Sequence, residues 1–256
     1  MTEPPAGSSG VPSARGQNAA GVGDHYRATR LRLTTFLDGI DDDSWDRPVD
    51  ACPGWRVRDV LAHLVATVDD AIAGRITGPP PPDLTADQVD RHRHDDPREL
   101  LAAWDVRAPR FEPVLTERRI WPAFFDVLSH EHDIRHALGR PAGHDSDDVR
   151  LAAELLTRSL PPGLTVDRDD ASGGGAPGSG APGGGAPGDD APDGPVAGDG
   201  DPEGGARLVA SSFDVFRLRL GRRSRAQVLA MDWTGDPEPF VDQLFVFGPR
   251  ETDLIE

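Results

Sequence analysis

The sequence predicts a mainly α protein: a bundle of about four to five helices, then a long disordered linker and a small α/β C-terminal module. Three observations predict it. Apolar residues recur at helical spacing through five stretches before residue 160, with no convincing strand among them. A tract dominated by Gly, Pro, Ala and Asp then interrupts the pattern. Beyond it, a strand-like run and shorter helical runs share the last fifty residues or so, too few to fold alone without a staple, so they should dock on the bundle.

Residues 1–22 hold almost no large apolar side chain and cannot offset their ordering entropy, so they read as a disordered tail. The bundle is expected at 23–160, with helices near 24–40, 56–75, 98–116, 121–138 and 146–160. In the second of these, Val57, Val60, Leu61, Leu64, Val68 and Ile72 form one apolar stripe. Four consecutive prolines at 79–82 read as a break. Residues 161–206 repeat Gly-Ala-Pro-Gly and read as a solvated linker. In the module, 207–256, a short strand starts at Arg207, a helical run covers 213–220, a basic turn covers 221–225, and a Pro/Gly break at 232–239 precedes an amphipathic stretch at 240–247.

The formal charge of −17 argues against nucleic acid as a partner, since phosphate neutralisation needs clustered Lys and Arg that the chain lacks, and disfavours an anionic membrane. Nine acids against one base fall within 167–205, so much of that charge belongs to the linker and says little about a substrate. No run of 18 apolar residues exists, and the N-terminus lacks the basic and apolar parts of a signal peptide, so a soluble, cytoplasmic protein is expected. The single cysteine, Cys52, rules out a disulfide framework and any multi-cysteine zinc site. A metal here would be held by histidines and carboxylates.

Two segments carry such groups. Asp126 and His130 stand four residues apart and share one helix face, with Asp133 one turn further on. His63 lies on the shoulder of the apolar stripe of the helix near 56–75. Packed side by side, these helices would assemble two histidines and one carboxylate, a donor set that leaves an open position for chemistry. Asp133 would orient a ligand histidine through its second nitrogen or coordinate in place of Asp126. The residues alone leave two alternatives open: an ordinary solvated helix face, and a rival pair, His132 and His136, also four apart. His92 and His94 sit in an alternating-charge loop and read as exposed, and His25 and His144 have no obvious partner. Trp55 and Trp121 read as anchors of helix starts.

The stretch Ala-Cys-Pro-Gly-Trp-Arg-Val-Arg-Asp-Val-Leu-Ala-His-Leu at 51–64 resembles the start of the second helix of the mycothiol-dependent maleylpyruvate isomerase family, within the DinB-like metal-binding bundles. Residues 126–141 are similar to that family's second metal-binding helix, and 221–227 and 233–239 to its C-terminal module. The resemblance implies a metal triad of His63, Asp126 and His130, over His132 and His136. It departs from the family at Asp126, where the family's carboxylate is Glu. Being one methylene shorter, Asp126 requires the metal nearer its helix or bound through water.

The resemblance also implies a divalent metal, zinc first, with mycothiol as the thiol cofactor; two histidines and one carboxylate also describe non-haem iron sites, so a non-haem iron enzyme on the same bundle is the alternative. In the reaction that names that family, the thiolate adds to the cis double bond of maleylpyruvate, the adduct rotates about the resulting single bond, and elimination gives the trans isomer. The expected activity is therefore isomerisation or S-transfer on a small electrophile, by a monomer or homodimer. A non-catalytic thiol-binding regulatory protein is the alternative outside enzymes. Arg222 and Arg223 are the expected catalytic clamp for anionic substrate, with Asp133 and Arg225 near the cofactor.

Overall fold

The computed structural model describes residues 20–170 and 205–256. Six helices build the bundle: α1 Val22–Asp38, α2 Val57–Ile72, α3 Pro82–Arg91, α4 Pro97–Arg118, α5 Trp121–Ala137 and α6 Asp147–Thr157. Helix α1 packs on α4 and α5, and α2 on α3, α4 and α5. The entry of α1 lies close against α4, since a Cβ added at Gly23 would collide with the Glu112 carbonyl oxygen. Leu33, Leu37, Val60, Leu61, Trp104, Leu115, Phe124 and Leu128 fill the space between these helices.

The caps follow from the sequence. Asp96 accepts the backbone N–H groups of Arg98 and Glu99 and Pro97 follows it at the first helical position of α4, while Asp59 in the first turn of α2 accepts the N–H of Arg56. Helix α5 differs from its neighbours. Every residue from Val127 to Ile134 is buried, so its polar side chains face protein on both sides and require partners there.

The C-terminal module consists of α7 Ser212–Arg219, α8 Arg225–Leu229 and a three-stranded sheet in the order β1 Leu164–Arg168, β2 Ala206–Ala210, β3 Asp232–Thr234. Strands β1 and β2 run parallel, with Leu164 opposite Ala206, and β2 and β3 antiparallel, with Leu208 opposite Trp233. Helix α7 packs on α6, docking the module on the bundle. Ser224 and Gln227 cap α8 reciprocally, and the Gln227 amide also bonds the backbone N–H and C=O of Leu254, pinning the chain near residue 254.

Several elements depart from the reading of the sequence. Helix α3 begins inside the proline run, with Pro81 at the N-cap and Pro82 in the first turn, where a missing N–H costs nothing. Strand β1 lies in the tract read as linker; Leu164 and Val166 give it an apolar side, and β2 supplies the partner. Helix α8 grows out of the expected basic turn and β3 out of the expected break at 232–239. The expected tail up to residue 19 and the linker residues 171–204 lie outside the described residues.

Candidate metal centre

Helices α2 and α5 bring His63, Asp126 and His130 together, with one ligand atom from each within 4.8 Å of the others. Asp126 stands between the rings, Oδ2 3.5 Å from His63 Nε2 and Oδ1 3.5 Å from His130 Nε2. These separations exceed an ordinary N–H···O hydrogen bond and approach the roughly 3.3 Å that separates ligand atoms about 2 Å from one tetrahedral ion. Both histidines are buried, and the Asp126 side chain is 34% exposed, so the group has a protein side and an open side. Two imidazoles and a carboxylate with that geometry fit a divalent cation.

The electrostatics agree with the geometry. Burial pushes the Asp126 carboxyl up, but the two imidazoles outweigh it and hold Asp126 far below the usual carboxylate range. His130 is held well above its ordinary value: burial opposes the charge, and the neighbouring Cys52 with the bonds to Asp126 and Asp133 overcomes it. Asp126 and His130 thus favour their charged forms only because opposite charge sits beside them.

The outer nitrogens of both histidines are held. His130 Nδ1 lies 3.0 Å from Asp133 Oδ2, as expected of an orienting carboxylate. Asp133 is completely buried and takes Arg217 on Oδ1 at 2.6 Å and Arg222 on Oδ2 at 2.8 Å. His63 Nδ1 lies 2.9 Å from Gln88 Oε1, and Gln88 Nε2 donates to Asp70 at 2.8 Å. Asp70 in turn is bridged by Arg75 and Arg91.

The expected arginines separate. Arg222 reaches the site: its Nη2 lies 2.8 Å from Asp133 and 3.9 Å from Cys52 Sγ, and its buried Nε has no acceptor among the described residues. Arg223 pairs instead with Glu256 and Asp214, and Arg225 with Glu238 and Asp242 on the module surface. Of the expected clamp only Arg222 therefore stands at the triad, because the acids of the module engage Arg223, and they likewise hold Arg225, expected near the cofactor, on the surface.

His132 turns the opposite way from the triad. It packs on Phe213, Phe216 and His144, and neither ring nitrogen has a hydrogen-bond partner among the described residues. Burial, with Arg217 and His144 beside it, pushes it down to about 3. His144 stacks on Phe213, and His25 bonds Asp148.

Three neighbours of the triad were not singled out as functional from the sequence. The Trp55 ring lies 5.4 Å from that of His63 and 6.4 Å from that of His130, covering both. Cys52 Sγ is 3.5 Å from Asp133 Oδ2 and 3.8 Å from His130 Nδ1. Both sit in the Cys-Pro-Gly-Trp run before α2, a signal the sequence did carry. Gln88 carried none, since its helix was hidden by the prolines. Trp55 also lines a cavity of about 640 Å³ between residues 48–56 and 250–255.

No curated protein matches the chain. Two crystal structures of the mycothiol-dependent maleylpyruvate isomerase, one of them of a mutant, are similar to it over 78% of this chain and 88% of theirs. Their identities are 15% and 16%, each with a TM-score of 0.43. Residues 26–123 match the mycothiol maleylpyruvate isomerase N-terminal domain, a span that contains His63, Gln88 and the start of α5. Residues 26–123 of the chain are therefore identified as a mycothiol maleylpyruvate isomerase N-terminal domain.

Proposed function

We propose that the protein is a metal-dependent enzyme that uses mycothiol as its thiol cofactor, for isomerisation or S-transfer on a small electrophile. The observation that carries this reading is the placement of Asp126 at 3.5 Å from both His63 Nε2 and His130 Nε2, too long for good hydrogen bonds and spaced as ligands of one ion. His63, Asp126 and His130 would hold the ion, zinc in the first instance. When bound, such an ion lowers the pKa of a coordinated thiol, so that thiolate is present at neutral pH.

The remaining work falls to the chain's own residues. Asp133 and Gln88 hold the outer nitrogens of the two histidines, so that both present Nε2 inward. Trp55 covers the rings and keeps water from one side of the group. Arg222 keeps its charge, because Asp133 and Cys52 beside it outweigh the cost of burial. Its side chain is 16% exposed, and that exposed part would meet a carboxylate of an anionic substrate, a pairing that charge-assisted bonding favours.

Calorimetry of mycothiol with the metal-loaded and metal-free protein tests the proposal. Binding is expected to be tighter with metal and to release a proton near pH 7, because the bound form is thiolate while the free thiol is mostly protonated. Equal affinity in the two forms would overturn it.

A further inference from the structure

Gln88 is fully buried on α3 between His63 of α2 and Asp70 of the same helix. Both ends of its amide are engaged: Nε2 with Asp70 Oδ2 at 2.8 Å and Oε1 with His63 Nδ1 at 2.9 Å. The network has one consistent set of hydrogens. Asp70 takes Arg75 on Oδ1 and Arg91 on Oδ2, so it is an ionised carboxylate and only accepts. The end of Gln88 that faces it must therefore be the NH2 group. This leaves the amide oxygen toward His63, and an oxygen also only accepts. The hydrogen between Gln88 and His63 thus belongs to His63 Nδ1. A neutral imidazole carries one N–H, so Nε2 keeps its lone pair.

We propose that Gln88 is a positioning residue that locks His63 in the tautomer whose Nε2 lone pair points at Asp126, with Asp70 locking the Gln88 amide in turn. The chain of constraint runs from two arginines through one carboxylate and one amide to a single ring nitrogen. His130 is oriented by a different device, since its Nδ1 faces the carboxylate of Asp133 directly. A carboxylate in place of Gln88 would set two acids side by side, against Asp70. An amide passes on the directionality of Asp70 without adding charge. The consequence of this tautomer for metal binding rests on the triad proposed above, whereas the tautomer itself can be measured with no metal present.

The test is a long-range proton–nitrogen spectrum of the metal-free, full-length protein with labelled histidine, at a pH where imidazoles are neutral. His63 is expected to show a protonated, pyrrole-like Nδ1 and an unprotonated, pyridine-like Nε2. Zinc affinity is measured alongside for Gln88→Leu and Asp70→Asn, each checked for folding by its melting curve. Gln88→Leu should mix the tautomers and lower zinc affinity about 10–100-fold, the range for losing an orienting partner of a ligand histidine. Asp70→Asn, which frees the amide to turn while leaving Gln88 in place, should mix them as well. A wild-type His63 carrying its hydrogen on Nε2 overturns the proposal without any variant. Unchanged tautomer and affinity in Gln88→Leu do the same. The expected tautomer in a protein that binds no zinc supports the lock and overturns the metal triad instead.

Discussion

Arg217 of α7 and Asp133 of α5 form an ion pair in which neither side chain reaches solvent, with Nη2 2.6 Å from Oδ1. Arg217 also donates to the backbone oxygen and the hydroxyl of Ser129, and Asp133 uses its other oxygen for His130 and Arg222. One carboxylate therefore joins the docking of the C-terminal module to the orientation of a histidine in the triad. The module is built into the site rather than appended to it.

Arg217→Met is the direct test of that coupling. Methionine matches much of the length of the stem but leaves Asp133 and Glu256 buried with one cation fewer each. Removing one partner of a buried pair costs about 3–5 kcal/mol, because the remaining charge stays desolvated. Urea unfolding should show a loss of that size. A loss below about 1 kcal/mol would mean that water replaces the guanidinium and that the docking is not held here.

Glu256 gives this interface a pH dependence. Burial pushes its carboxyl up, but Arg217 and Arg223 outweigh that and hold it below the usual carboxylate range. A depressed folded pKa adds stability that is present above the unfolded value of about 4.3 and lost as pH falls through the folded one. Glu256→Gln should therefore cost about 1.5–3 kcal/mol at pH 7, the range for hydrogen bonds to charged groups. The difference from the wild type should shrink steadily below about pH 4. A difference independent of pH would assign the effect to packing.

The triad is tested by metal content. His130→Ala and Asp126→Asn should each reduce bound zinc from about one equivalent per chain to a small fraction, because two remaining donors rarely retain the ion through dialysis. His136→Ala, from the rival pair, should leave it unchanged. Metal analysis after aerobic and anaerobic purification separates zinc from iron, which the same donor set also accepts. Retention of zinc by His130→Ala would refute the assignment.

What could be read from the sequence divides by the range of the interactions. The spacing of Asp126, His130 and Asp133 was legible because one helix fixes it, and His63 because the stripe around it fixed the buried face of α2. The five expected helices correspond to α1, α2, α4, α5 and α6 for the same reason. Helix α3 was not legible, because four prolines read as a break until Pro81 and Pro82 are seen at its start. Strand β1 was hidden because a five-residue strand is defined by its partner, which lies far along the chain. The fate of the arginines depended on long-range contacts of the same kind. Arg222, Arg223 and Arg225 are near neighbours in sequence, and only the positions of Asp133, Glu256 and Asp242 decide which of them faces the triad.

Arg222 therefore carries the sharpest kinetic expectation. With maleylpyruvate as the probe substrate, Arg222→Lys keeps the charge but loses the planar fork that spans Asp133 and an incoming carboxylate. It should lower kcat/KM about 10–100-fold, the equivalent of one charge-assisted contact, while zinc content stays at the wild-type level. Arg225→Met is the matched control, since its guanidinium is engaged by Glu238 and Asp242. It should leave kcat/KM within about twofold. If Arg222 acts on the substrate, the loss in Arg222→Lys should also be larger for a dianionic electrophile than for an uncharged one. Equal losses for the two substrates would show that Arg222 acts only through Asp133, by holding His130 in place.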